Sequence, residues 1–247
     1  APVLTPYGYD EIVNAANRLA PPSAEHWMGT DEVGRDVLTR MLYGSRISLL
    51  VGFVAVAFSA IGGGIIGACA GYFRGTLDNV LMRIMDVLLA IPSILLAIAI
   101  VNILGPSLMN VMIAVGLSSM PSFARIVRAA VLSIRDSEFI EAAVAIGDNT
   151  ASIIWHNILP NCLAPIIVQA TLGVASAILS AAGLSFLGLG LQPPSPEWGA
   201  MLSEGRAYIY IAPWLTICPG VSIVLVVLSL NLFGDGLRDA LDPKLKQ

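Results

Sequence analysis

Three long stretches of this chain carry no charge, and they set its architecture. No Asp, Glu, Lys or Arg occurs from Ile47 to Phe73, from Val87 to Ala124, or from Asn149 to Pro196. At about 1.5 Å per residue, the first stretch crosses a bilayer core of about 30 Å. A polar connection with Arg74, Asp78, Arg83 and Asp86 follows it. The second stretch is too long for one span, and Gly105-Pro106 interrupts it, which predicts two spans joined by a tight turn. The core of the third, about Cys162 to Ala182, predicts a fourth span, and Pro213 to Phe233 a fifth. Residues 183–209 mix glycine, proline and aromatics, and read as a re-entrant or interfacial connection. The expected fold is all-α: a polytopic membrane protein with about five spans.

Composition agrees with lipid as the solvent. The chain has 247 residues, 56% hydrophobic and 12% charged, against about 25% charged in soluble domains. The net charge of −4 excludes a nucleic-acid surface. Cys69, Cys162 and Cys218 lie in apolar runs with no metal or disulfide spacing, and read as small core residues. His26 and His156 stand far apart in the sequence and build no metal site.

The charges beside the spans orient the chain. Arg18, Arg35, Arg40, Arg46 and Arg206 fall on the side of residues 1–46. Arg74, Arg83, Arg125, Arg128, Arg135, Arg238, Lys244 and Lys246 fall on the other, which is therefore the expected cytoplasmic side. Residues 1–46 are then extracytoplasmic, with 26–46 facing the binding protein or the external mouth; residues 47–236 form the membrane domain and 237–247 a cytoplasmic tail. A further span is expected upstream of Ala1, with a cleaved signal peptide as the rival explanation of an exported start.

Two patterns stand out within this frame. Ser59, Gly63, Gly67 and Gly71 recur every four residues, giving a smooth ridge for close helix–helix approach. The stretch EAAVAIGDNTASIIWHNILP, Glu141 to Pro160, is a polar, helix-forming segment between spans, within a loop of about 136–161. Gly147 and Pro160 divide it into two helical pieces. Ser137 is the expected cap of the first, with Glu138 and Glu141 in its opening turn, and Asp148 or Thr150 the cap of the second. Phe139, Ile140, Ala143 and Val144 are expected on one side, and Phe139, Ile140 and Ile146 need burial against the membrane domain or another protein. An amphipathic helix on the bilayer surface is the competing reading.

The chemistry absent from the spans narrows the function. No ionisable group lies near their centres, unlike a proton- or ion-coupled carrier. No GxxxxGK[ST] phosphate loop, carboxylate pair, Ser/His/Asp set or HExxH helix occurs. Energy for movement must therefore come from a partner.

Glu141, Ala142, Ala143, Gly147, Leu159 and Pro160 resemble the EAA signature loop of the membrane subunits of binding-protein-dependent ABC importers. Asn157 departs from the pattern, where isoleucine often stands. HWMGTDEVGRDVLTRMLYGSRISL at 26–49, AGYFRGTLDNVLMRIMDVLLAIPS at 70–93, SFLGLGLQPPSPEWGAML at 185–202 and NLFGDGLRDALDPKLK at 231–246 are similar to the C-type permease of dipeptide, oligopeptide, glutathione or nickel systems. The resemblance implies a type I importer transmembrane domain in the bacterial inner membrane. It implies a homologous second permease subunit, two ATP-binding subunits that hold ATP and Mg and grip the EAA loops, and a periplasmic or lipid-anchored solute-binding protein. In the family a first span precedes the GTDEVGRD region. The alternative function is a non-transport membrane scaffold that recruits a soluble partner through the same loop.

Overall fold

The structure, a computed structural model, describes residues 5–13 and 17–241. Lys244 and Lys246 of the expected tail lie outside the described residues. Among these residues the only β-feature is an isolated bridge between Thr30 and Asp36; the rest is helix and connection.

Helix α1 (Val37–Phe73) starts ten residues before the charge-free run. The Asp36 side chain caps it, accepting 2.8 Å bonds from the Thr39 amide and hydroxyl. Thr39 and Arg40 follow the cap and are buried in protein, so charge does not mark the helix start. Residues 75–90 are helical too, forming α2 (Gly75–Ala90) in place of the expected polar connection. Pro92 then breaks the ladder and leaves Ile91 extended. Helix α3 (Ser93–Leu104) follows, bent by 93° from α2. With 12 residues α3 is too short to cross a bilayer alone, and the bent pair has the length and composition of one broken span or of a re-entrant loop.

Gly105, at φ 89°, and the Ser107 cap begin α4 (Leu108–Ile134). Arg125 and Arg128 lie inside α4, where they pair with Asp86 and Asp78 of α2, instead of opening the next loop. Then come α5 (Glu138–Ala145), α6 (Thr150–Ser152), a π-helical stretch Ile153–Ile158, a 3-10 turn Pro160–Cys162, and α7 (Leu163–Phe186). The expected interfacial connection contains α8 (Trp198–Gly205), buried at Trp198, Ala200 and Met201. Helix α9 (Trp214–Leu241) completes the described fold. Among the described residues four helical runs are long and apolar enough to cross a membrane: α1, α4, residues 150–186 and α9; counting the bent pair as one broken span brings the number to five.

Helices α1 and α4 run parallel in fixed register. Ser59 Oγ donates 2.7 Å to the Gly116 carbonyl, 57 positions on. With the same offset, a Cβ at Gly63 would stand 2.6 Å from the Met120 carbonyl, one at Gly67 would strike that of Ala124, and one at Gly71 would stand 3.1 Å from that of Arg128. The absent side chains allow backbone contact along the seam. Beside it, α3 and α7 close an apolar core around Val101, Val115, Phe123, Ile178 and Leu184. Of the three free cysteines, Cys162 is buried, and Cys69 and Cys218 partly so.

Candidate functional site at the EAA segment

The ends of α1 and α4 form a platform on which the EAA segment lies. Ile140, Ala143, Ile153 and Ile158 are buried there with Ala68 of α1, Val127 and Val131 of α4, and Cys162. The apolar positions of α5 therefore divide. Ile140 and Ala143 face inward, while Phe139, Val144 and Ile146 stay exposed, Ile146 at 82%. The expectation of one apolar side is corrected: spacing of i and i+3 serves the platform, and the remaining apolar residues form a second, outward face. Glu141 and Ala142 are exposed on α5, and Gly147 beyond it. Leu159 packs against the platform cluster, and Pro160 is exposed.

The caps differ from those expected. Ser137 occupies the cap position of α5, but its hydroxyl donates backward to the Ile134 carbonyl at 2.5 Å. Asn149, and not Asp148 or Thr150, caps α6 by accepting from the Ser152 amide at 2.7 Å. Gly147 turns the chain between the pieces at φ 85°, in the left-handed region that favours glycine. Pro160 does not separate the second piece from the span. It opens the 3-10 turn within a continuous helical run, where its missing N–H is tolerated after the π-helical stretch.

Ties reach this segment from the end of α1. Arg135 Nη1 donates 2.5 Å to the Tyr72 carbonyl, its guanidinium 5.8 Å from the Tyr72 ring centroid. Arg74 Nη2 donates 2.6 Å to Asp136 Oδ2. That hydrogen bond holds the Asp136 carboxyl below the usual aspartate range, with Arg135 adding to the effect.

The opposite end holds the residues that sequence reasoning missed. Arg40 Nη1 donates to Asp31 at 2.7 Å and to Glu204 at 2.9 Å, and Arg35 Nε donates to Asp31 at 2.6 Å. His26 Nδ1 lies 3.0 Å from Asp36 Oδ1. Glu197 caps α8, accepting 2.9 Å bonds from the Gly199 and Ala200 amides. Trp198 Nε1 donates to the Met41 carbonyl, and Trp214 Nε1 to the Thr30 carbonyl. Within residues 26–46, expected to face the binding protein or the external mouth, Thr30, Arg40 and Met41 are tied to α8 and α9. Ion pairs across 164 residues of sequence have no local pattern to announce them. Among the described residues no group of three or more His, Cys, Asp or Glu is placed to hold a metal.

With this geometry in view, the comparisons with known proteins are direct. Residues 60–247 match the family described as binding-protein-dependent transport system inner membrane component. The chain belongs to that family. This permease is 58% identical over its whole length to the dipeptide transport system permease protein DppC of Alkalihalophilus pseudofirmus, of which it covers 81%. It is 49% identical to the di/tripeptide transport system permease protein DppC of Pseudomonas aeruginosa, covering 83% of it. It is 47% identical to the glutathione transport system permease protein GsiD of Pectobacterium atrosepticum, covering 82%. The same fold occurs in the inward-facing MetNI methionine ABC transporter, with TM-score 0.67 and 22% identity over 83% of this chain and 97% of that one. The permease is therefore a multi-pass membrane subunit of the ABC importer class, and its EAA segment sits where α1 and α4 end together.

Proposed function

We propose that this permease forms half of the path of an ATP-driven importer of dipeptides or closely related small peptides in the bacterial inner membrane. A homologous second permease forms the other half, a solute-binding protein delivers the peptide, and two ATP-binding subunits supply the energy. Sidedness follows the charge bias: the EAA segment is cytoplasmic, and residues 17–36 and α8 are outside. The substrate class rests on the peptide-transport relatives.

One observation carries the coupling role: α5 is seated from below by Ile140 and Ala143 while Phe139, Val144 and Ile146 face outward. A helix with a glued inner face and a bare apolar outer face is suited to a groove on a soluble protein. Glu141 meets polar or basic groups at the groove, Ala142 allows close approach, and Ala143 fixes the seat. Gly147 forms the turn, and Leu159 and Pro160 lead back into the span. Movement of the groove then rotates the platform as a unit, alternating access between the two sides.

The test uses the assembled complex in proteoliposomes with its binding protein outside. Gly147→Trp is expected to abolish dipeptide uptake and the stimulation of ATP hydrolysis by loaded binding protein. Unchanged uptake and stimulation refute the coupling role. Recruitment of a partner without any solute movement supports a scaffold instead.

A further inference from the structure

Arg74 ends α1 with φ 53° and ψ −165°, a region of backbone space that only glycine enters freely. Gly75 follows at φ 61°, so the chain turns sharply into α2 through two left-handed residues, and only the second is a glycine. The arginine side chain bonds Asp136, two residues before α5. Both partners are about half exposed, and exposed ion pairs add little to stability. Stability therefore does not account for an arginine held in a strained conformation.

Position does account for it. Arg135, next to Asp136, donates to the Tyr72 carbonyl, one of the last carbonyls of α1 that the helix cannot satisfy itself. Its positive charge also suits the negative end of the helix dipole. Ala68 of α1 lies in the same apolar cluster as Ile140 of α5. The segment that leads into α5 is thus bracketed to a helix more than sixty positions earlier in the sequence. Helix α1 is in turn fixed along α4 by the glycine seam.

We infer that Arg74, with Asp136 and Arg135, is a positioning residue for transport: it ties α1 to the coupling helix, so that force on α5 reaches α1 directly. The inference rests on the coupling role proposed for α5. Without the tie, α5 turns on its platform and part of its motion is lost before it reaches the spans.

Arg74→Gly separates this role from a structural one, because it removes the tie and relieves the backbone together. In the reconstituted complex it is expected to melt at or above the wild-type temperature and still hydrolyse ATP, while solute taken up per ATP falls severalfold. Asp136→Asn is expected to lower uptake per ATP in the same way with the backbone untouched, and the exchange Arg74→Asp with Asp136→Arg to restore part of it. Wild-type uptake per ATP in either single variant overturns the inference. So does a loss of uptake in Arg74→Gly that matches a fall in melting temperature. Gly147→Trp serves as the separate control: if it is harmless, the coupling role of α5 is wrong, whereas a defective Gly147→Trp beside a fully coupled Arg74→Gly refutes only the tie.

Discussion

Replacing Arg40 with methionine tests the charge cluster that holds residues 26–36 and α8 to the start of α1. Arg40 is 1% exposed, yet among the described residues its Nε and Nη2 have no hydrogen-bond partner. Only Nη1 works, bonding Asp31 and Glu204. After Arg40→Met, Asp31 keeps Arg35 Nε at 2.6 Å and the amides of Val33 and Arg35 at 3.0 and 2.9 Å. Glu204 keeps only Arg35 Nη2, at 3.8 Å, beyond hydrogen-bond reach. The loss therefore falls on Glu204, whose side chain is 15% exposed. Stranding a buried charge costs about 3–5 kcal/mol, and residual exposure puts this case near about 3 kcal/mol. On the scale of soluble domains that is a fall of roughly 6–12 °C in melting temperature. Adding Glu204→Leu removes the stranded charge, and the double variant is expected within about 1 kcal/mol of wild type, since an apolar pair replaces an incompletely bonded ionic one. Melting curves of the purified complex, followed by intrinsic fluorescence, decide it. A single variant that melts like wild type, or a double that melts below the single, refutes the reasoning.

Gly67→Val is expected to destabilise by about 1–3 kcal/mol through overlap with the Ala124 carbonyl, whereas Gly64→Ala, with open space around its Cβ, gains about 0.5–1 kcal/mol; thermal melts of the two compare them directly. Ile140→Ala empties a fully packed site under α5 and is expected to cost about 2–5 kcal/mol, read as faster proteolysis of residues 136–161. Burial, with the Asp31 and Glu204 carboxylates adding to it, raises the Glu32 carboxyl above the usual glutamate range. Because the folded value is raised, its stabilising contribution is present below the unfolded value and is lost as pH rises through the folded one. Glu32→Gln is therefore expected to raise the melting temperature at neutral pH and to change nothing in acid; an equal effect at both would refute this assignment.

The amino-acid pattern alone determined a good deal of this protein. Charge-free runs announce spans because lipid excludes unpaired charge, and that holds for any neighbour the helix later meets. Ser59, Gly63, Gly67 and Gly71 announce a seam because small residues at a helical repeat leave a groove on one face. The EAA segment was legible as two pieces turning at Gly147, since left-handed backbone asks for glycine locally. What lay beyond the pattern depends on residues far apart in the chain. The spacing of α5 does not say that Ile140 and Ala143 go inward and Ile146 outward, because only the ends of α1 and α4 define which side is in. Arg40 and Arg46 read as flanking charges, yet α1 runs through both, because Asp36 caps it upstream and Arg40 finds its partners in Asp31 and Glu204. The strain at Arg74 is likewise invisible in the sequence, where arginine beside glycine is ordinary. Only the folded chain brings Asp136 within its reach: which residues meet across more than sixty positions is a property of three dimensions.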